Sequence, residues 1–81
     1  MEDLEKISNS EVWQFLSESN EDDRIFRLTN DKEENLSIDY DQANDLVSNS
    51  SCYIEKKIKH NLSWDRIILN INNKWFVLTV E

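Results

Sequence analysis

The chain has one histidine, His60, and one cysteine, Cys52. Nucleophilic catalysis needs a nucleophile, a base and an orienting group. His60 and Cys52 sit at i, i+8 on one expected strand, about 26 Å apart when extended. They cannot meet within it, and they read as a buried thiol and a turn histidine. Paired carboxylates could do acid–base work or hold a metal, and Glu21, Asp22 and Asp23 are consecutive, as are Glu33 and Glu34. An EF-hand loop, however, requires Gly at its sixth position, and the chain has none. Structural zinc requires four Cys or His ligands, and two exist in all. Phosphate-cradling loops also require Gly. N-x-S/T patterns at Asn35, Asn49 and Asn61 are chance matches in a chain with ten Asn and nine Ser. The expectation is a protein that is not an enzyme, with no metal and no cofactor.

A charge pattern needs no motif to act. Nine Lys and Arg face seventeen Asp and Glu, a formal net charge of -8 over 81 residues. That excludes a conventional nucleic-acid binder, which displaces counterions with Lys and Arg. Fourteen of the acids lie in residues 1–45 with only four bases, whereas residues 46–81 are nearly neutral. The candidate partner-binding acids are Glu18, Glu21, Asp22, Asp23, Asp31, Glu33, Glu34, Asp39, Asp41 and Asp45. DNA presents one phosphate per 3.4 Å along each strand. Alternate strand residues stand about 6.6 Å apart and helical i, i+4 neighbours about 6 Å apart. Asp39 and Asp41 at i, i+2, and Asp41 and Asp45 at i, i+4, therefore suit several phosphate subsites of a basic groove. The plainer alternative is a solvated acidic face that confers solubility.

These residues must be carried by a small scaffold. One domain spanning residues 1–81 is expected, with 1–8 at its frayed margin. Gly and Pro are absent, so Asn and Ser must make the turns. Gly, Ala and Pro together amount to one residue, while Asn, Ile and Lys are plentiful, which points to an AT-rich gene of the low-GC bacterial, phage or mobile-element kind. Ser8 followed by Glu11 fits a capping box, and Val12, Phe15 and Leu16 recur at helical spacing, predicting a helix over 9–19. Residues 2–7 could add a turn, but a break near Ser8 keeps Ile7 off the acidic side. Strands are expected at 24–29 and 36–40 around a loop at 30–35. Asp41 can cap a short helix in which Ala43, Leu46 and Val47 share a face. Strands at 52–59, 65–71 and 74–80 follow, with a turn at 60–63.

Asn72-Asn73 suits a two-residue hairpin turn with positive φ. Such a loop pairs positions whose numbers add to 145. Ile67, Leu69, Ile71, Phe76, Leu78 and Val80 then share one face, and Arg66, Ile68, Asn70, Trp75, Val77 and Thr79 the other. Trp75 is either covered by a helix or is an exposed partner anchor, and Trp13, beside the helix stripe, admits the same two readings. The fold class is α+β, of order α-β-β-α-β-β-β: a mostly antiparallel sheet with one or two helices packed on it.

In general character the chain resembles the small acidic proteins of phages and mobile elements that inhibit nucleic-acid-handling enzymes: anti-CRISPR proteins, anti-restriction proteins and uracil-DNA glycosylase inhibitors. The resemblance covers size, acidity, Asn/Asp richness and helix-plus-sheet architecture, and no functional residue is carried over by it. It implies a non-enzymatic nucleic-acid mimic whose partner is a basic nuclease or CRISPR effector, with no direct nucleic-acid contact. The alternatives are an immunity protein or antitoxin against a basic toxin, or an interaction module using the Trp75 face. The acidic N-terminus, without a signal peptide, and the lack of an apolar run near 18 residues lead us to expect a cytoplasmic protein of a bacterial host, monomer or homodimer, off the membrane.

Overall fold

A computed structural model describes residues 4–55 and 66–81. Its elements are β1 (Leu4–Ile7), α1 (Asn9–Glu21), β2 (Phe26–Thr29), β3 (Asn35–Ile38), α2 (Tyr40–Ser48), β4 (Ser51–Glu55), β5 (Arg66–Ile71) and β6 (Lys74–Val80). The strands form one antiparallel sheet in the order β1-β4-β5-β6-β2-β3. The fold is α+β, as the pattern of the sequence implies. The expected continuation of β4 to residue 59, the turn at 60–63 and His60 lie outside the described residues.

The β5–β6 hairpin occupies the middle of the sheet. Leu69 pairs with Phe76 and Ile67 with Leu78, the register that a two-residue loop requires. Asn72 and Asn73 supply the positive φ values, 52° and 66°. Ile67, Leu69, Leu78 and Val80 are buried, while Ile71 and Phe76 at the turn end are half-buried. Both helices pack on this face: Val12 and Leu16 of α1 and Ala43 and Val47 of α2 join Ile7, Phe26, Cys52 and Ile54 in one core.

Three local expectations need correction. Residues 4–7 are neither a frayed end nor a helical turn. They form β1, antiparallel to β4, with Ile7 opposite Cys52. Only one buried side chain marks that strand, so its sequence lacks a clear alternation, and pairing with β4 decides it. The second correction concerns α2, whose cap is Asp39 and not Asp41. Gln42 N donates to Asp39 Oδ1 (2.8 Å) and Asp39 N donates to Gln42 Oε1 (3.0 Å), a complete capping box. The strand before it ends at Ile38, and Asp41 lies in the first helical turn. The third is at β2, which starts at Phe26. Ile25 instead exchanges backbone hydrogen bonds with Glu81.

At α1 Ser8 is the cap, its Oγ accepting from Glu11 N (3.2 Å), but the expected capping box is not completed: Glu11 Oε1 accepts from the Ser8 hydroxyl (3.1 Å) and not from its backbone N–H. The helix runs two residues past the expected end, to Glu21, before the turn in which Asp23 takes φ 56°.

With no Gly available, Glu33 also takes a left-handed φ of 62° in the β2–β3 loop. Asn30 builds that loop. Its Oδ1 accepts from Lys32 N (2.9 Å) and Glu34 N (3.0 Å), and its Nδ2 donates to Glu34 Oε1 (3.2 Å). A side chain with a Cβ in this region costs about 1–2 kcal/mol relative to glycine. The greater freedom of unfolded glycine offsets part of that. Glu33→Gly should therefore raise stability by about 0.5–1 kcal/mol, measured by urea unfolding at constant salt. A loss would mean that the Glu33 side chain stabilises the loop.

Candidate protein-interaction surfaces

The two helices are antiparallel neighbours. Asn9 Nδ2 at the start of α1 donates to Val47 O near the end of α2 (3.0 Å). At the other end, Phe26, just past α1, meets Tyr40 at the start of α2 with ring centroids 6.3 Å apart. This arrangement divides the ten candidate acids. Glu18, Glu21, Asp22 and Asp23 at the C-terminal end of α1 lie at the same end of the molecule as Asp39 and Asp41. Asp45 extends that group along α2, about 6 Å from Asp41. Asp31, Glu33 and Glu34 belong to the β2–β3 loop, at the far end of a four-residue strand, at least about 13 Å away. A single continuous acidic helix–loop surface is therefore not what the fold builds.

All ten acids are exposed. None of them forms an ion pair among the described residues. The pairs there join Arg27 to Glu81 (3.5 Å) and Arg66 to Glu55 (3.4 Å). Arg24, the base nearest the α1 end in sequence, donates instead to Val80 O (3.0 Å). Asp39 has a structural part in its capping box. The strand spacing expected between Asp39 and Asp41 does not arise, because they straddle a helix start. Glu18 accepts a weak bond from Gln14 (3.4 Å). Glu18 and Glu21 occupy the last turn of α1, which holds no basic residue. There the negative end of the helix dipole opposes them.

The sheet face opposite the helices carries Trp75. Among the described residues no helix packs on it, and Trp75 is half-buried there. Tyr53 and Trp75 pack at 5.5 Å between centroids, tilted by 55°. With Val77 they help bury Ile68, which is 7% exposed on this outer face. Beside Trp75 lies a hollow of about 380 Å³ lined in part by Leu4, Thr29, Asp31, Glu55, Arg66 and Ile68. Asp31 is the one candidate acid that the fold brings to Trp75. Trp13 is 39% exposed on α1.

Among the described residues no three His, Cys, Asp or Glu side chains are grouped to hold a metal. No helix there is long and apolar enough to cross a membrane. Cys52 is buried in the core. Burial pushes its thiol up from the ordinary range, and contact with Ser50 Oγ (3.8 Å) partly counters this.

Sequence reasoning did not find the outer edge of β3. Its Leu36 is 62% exposed, more than Ile25 or Trp13. The alternation of Leu36, Ile38 and Tyr40 is visible in sequence, but which strand ends up at the sheet margin is decided by topology.

Two predictions follow from these environments. Replacing Glu18 and Glu21 with Lys should stabilise the fold by about 0.3–1 kcal/mol each at low salt, and less as salt is raised. Urea unfolding at two ionic strengths checks this, and destabilisation would contradict the dipole argument. The second concerns alkaline pH. The folded Cys52 thiol has the higher pKa, so its contribution is complete below the unfolded value of about 8.5 and is lost as pH rises toward the folded one. Stability should fall above that value in the wild type and fall less in Cys52→Ala. Identical alkaline slopes would exclude Cys52 as the cause.

Comparison with protein-family models, with curated proteins and with solved structures finds no match for this chain.

Proposed function

We propose that this protein is a non-enzymatic acidic inhibitor. Its helix-layer end, bearing Glu18, Glu21, Asp22, Asp23, Asp39, Asp41 and Asp45, enters the nucleic-acid groove of a basic enzyme. A bacterial defence nuclease, a CRISPR effector first among them, is the target class that this chemistry fits. One observation carries the reading. Seven carboxylates gather at the paired helices with no ion-pair partner among the described residues, and two of them sit where the α1 dipole penalises them. Charge that works against the fold at that position is explained by use outside the fold. Such a surface steers association through long-range attraction, and apolar contacts then set residence time.

The open Trp75 face favours a second reading, an interaction module in which the acids only solvate. Salt separates the two, because exposed charge pairs are screened and apolar burial is not.

The test is capture by the tagged protein from a bacterial lysate supplemented with candidate defence nucleases, at low and high salt, with DNA or RNA as competitor. A basic nuclease should be retained at low salt and displaced by nucleic acid. Reversal of Glu18, Glu21, Asp22 and Asp23 to Lys should weaken it by roughly ten- to a thousandfold, and reversal of Asp31, Glu33 and Glu34 by less. Capture that ignores salt, nucleic acid and the α1 reversals but fails in Trp75→Ala would replace this reading with the second.

A further inference from the structure

We propose that the outer edge of β3 takes up an extended, basic segment of the partner protein as a seventh strand of the sheet. The inference deepens the reading above and rests on it, since it presumes a basic protein partner.

The sheet has two edges, β1 and β3. Natural sheets blunt such edges with charges, Pro, bulges or covering segments. β1 carries Glu5 and Lys6 within its four residues. β3 reads Asn35-Leu36-Ser37-Ile38, with no charge and no Pro, and Asn35, Leu36 and Ser37 are all exposed.

The backbone is oriented for pairing. Asn30 N donates to Glu34 O (3.2 Å), which makes 30 and 34 a hydrogen-bonded pair of the β2–β3 ladder. Pairs alternate along an antiparallel ladder, so Leu36 and Ile38 turn their backbone groups to Leu28 and Phe26 of β2. Asn35 and Ser37 therefore direct their N–H and C=O groups outward. The Asp39 N–H that would continue the row is already taken by Gln42. The offered edge is thus four backbone groups long, with Leu36 beside it on the helix side of the sheet.

Charge decides the occupant. Glu33 and Glu34 stand at one end of this edge and Asp39 and Asp41 at the other. A second copy of the chain, paired antiparallel so that its outward residues meet, Asn35 facing Ser37, sets Glu33 opposite Asp39 at both ends. Like charges directly opposite destabilise a strand pair. A segment with apolar residues at its centre and Lys or Arg at both ends meets the edge with opposite charge at each end, and main-chain bonds supply the rest.

The probe is a synthetic peptide, Lys-Arg-Thr-Val-Thr-Val-Arg-Lys, and a control of the same sequence N-methylated at every backbone amide, so that neither of its edges can donate. The two have the same charge, but the control cannot donate to the ladder. Binding to the intact protein is followed by NMR titration and amide hydrogen exchange. The plain peptide should bind at low salt and slow exchange at Asn35 and Ser37, and the methylated one should bind at least about tenfold more weakly, since each lost bond is worth about 1 kcal/mol. Ser37→Pro removes an outward N–H and no β2 bond, so it should stay folded and lose binding by a similar factor. Equal binding of the two peptides, or slowed exchange confined to other amides, overturns strand addition while leaving the basic-partner reading in place. Absence of binding by either peptide also overturns it, and the capture experiment then judges the basic-partner reading alone.

Discussion

The pairing of β5 with β6 is the constraint on which the rest of this molecule depends. It places two strands at the centre of the sheet, joined by a turn that two consecutive Asn residues hold at positive φ. Slippage by one residue would move Ile67, Leu69 and Leu78 from the core to the outer face. Every other strand docks directly or through a neighbour on this pair: β4 and β1 on one side, β2 and β3 on the other. The helices can then cover only the face on which the hairpin presents its apolar row, and Trp75 is left on the other.

That arrangement has an electrostatic consequence. Helices crossing the same face in opposite directions bring the end of α1 beside the start of α2. Acids that are distant in sequence, Glu18 to Asp23 and Asp39 to Asp45, become one group. For Asp39 and Asp41 the helix N-terminus is a favourable site, whereas for Glu18 and Glu21 the C-terminal turn is not. Of the described bases, Arg24 is engaged with a backbone carbonyl and Arg27 with Glu81. The carboxylates at that end have no ion-pair partner among the described residues, and a concentrated charge of that kind acts at a distance.

The remaining surfaces differ in kind. The face of Trp75 and Tyr53 is aromatic and half-buried, and its rim carries the Arg66–Glu55 pair. The β3 edge is narrow, uncharged and flanked by acids. Because β2 and β3 are only four residues long, the acidic loop that Asn30 builds stands close to both surfaces. A partner reaching the helix end and the β3 edge together would meet Asp39 and Asp41 on the way, which links the charged group to the edge through α2's first turn.

Much of the architecture was legible in residue types. The hairpin register followed from alternation and an Asn pair, and α1 from Ser8, Glu11 and the Val12–Leu16 spacing, because local propensity and burial agree there. The net charge and its crowding into residues 1–45 were equally plain. Tertiary structure alone decided the rest. β1 has no strong alternation, and its pairing with β4 makes it a strand. The cap of α2 is the exception, because Asp39 followed three residues on by Gln42 is a local pattern present in the sequence, and the reciprocal bond between them makes Asp39 the cap instead of Asp41. The division of the acids into two groups, the placing of Trp75 on the face away from the helices and the open margin at β3 depend on which strands are neighbours. Strand order is set by contacts between residues far apart in sequence, and no local pattern encodes those.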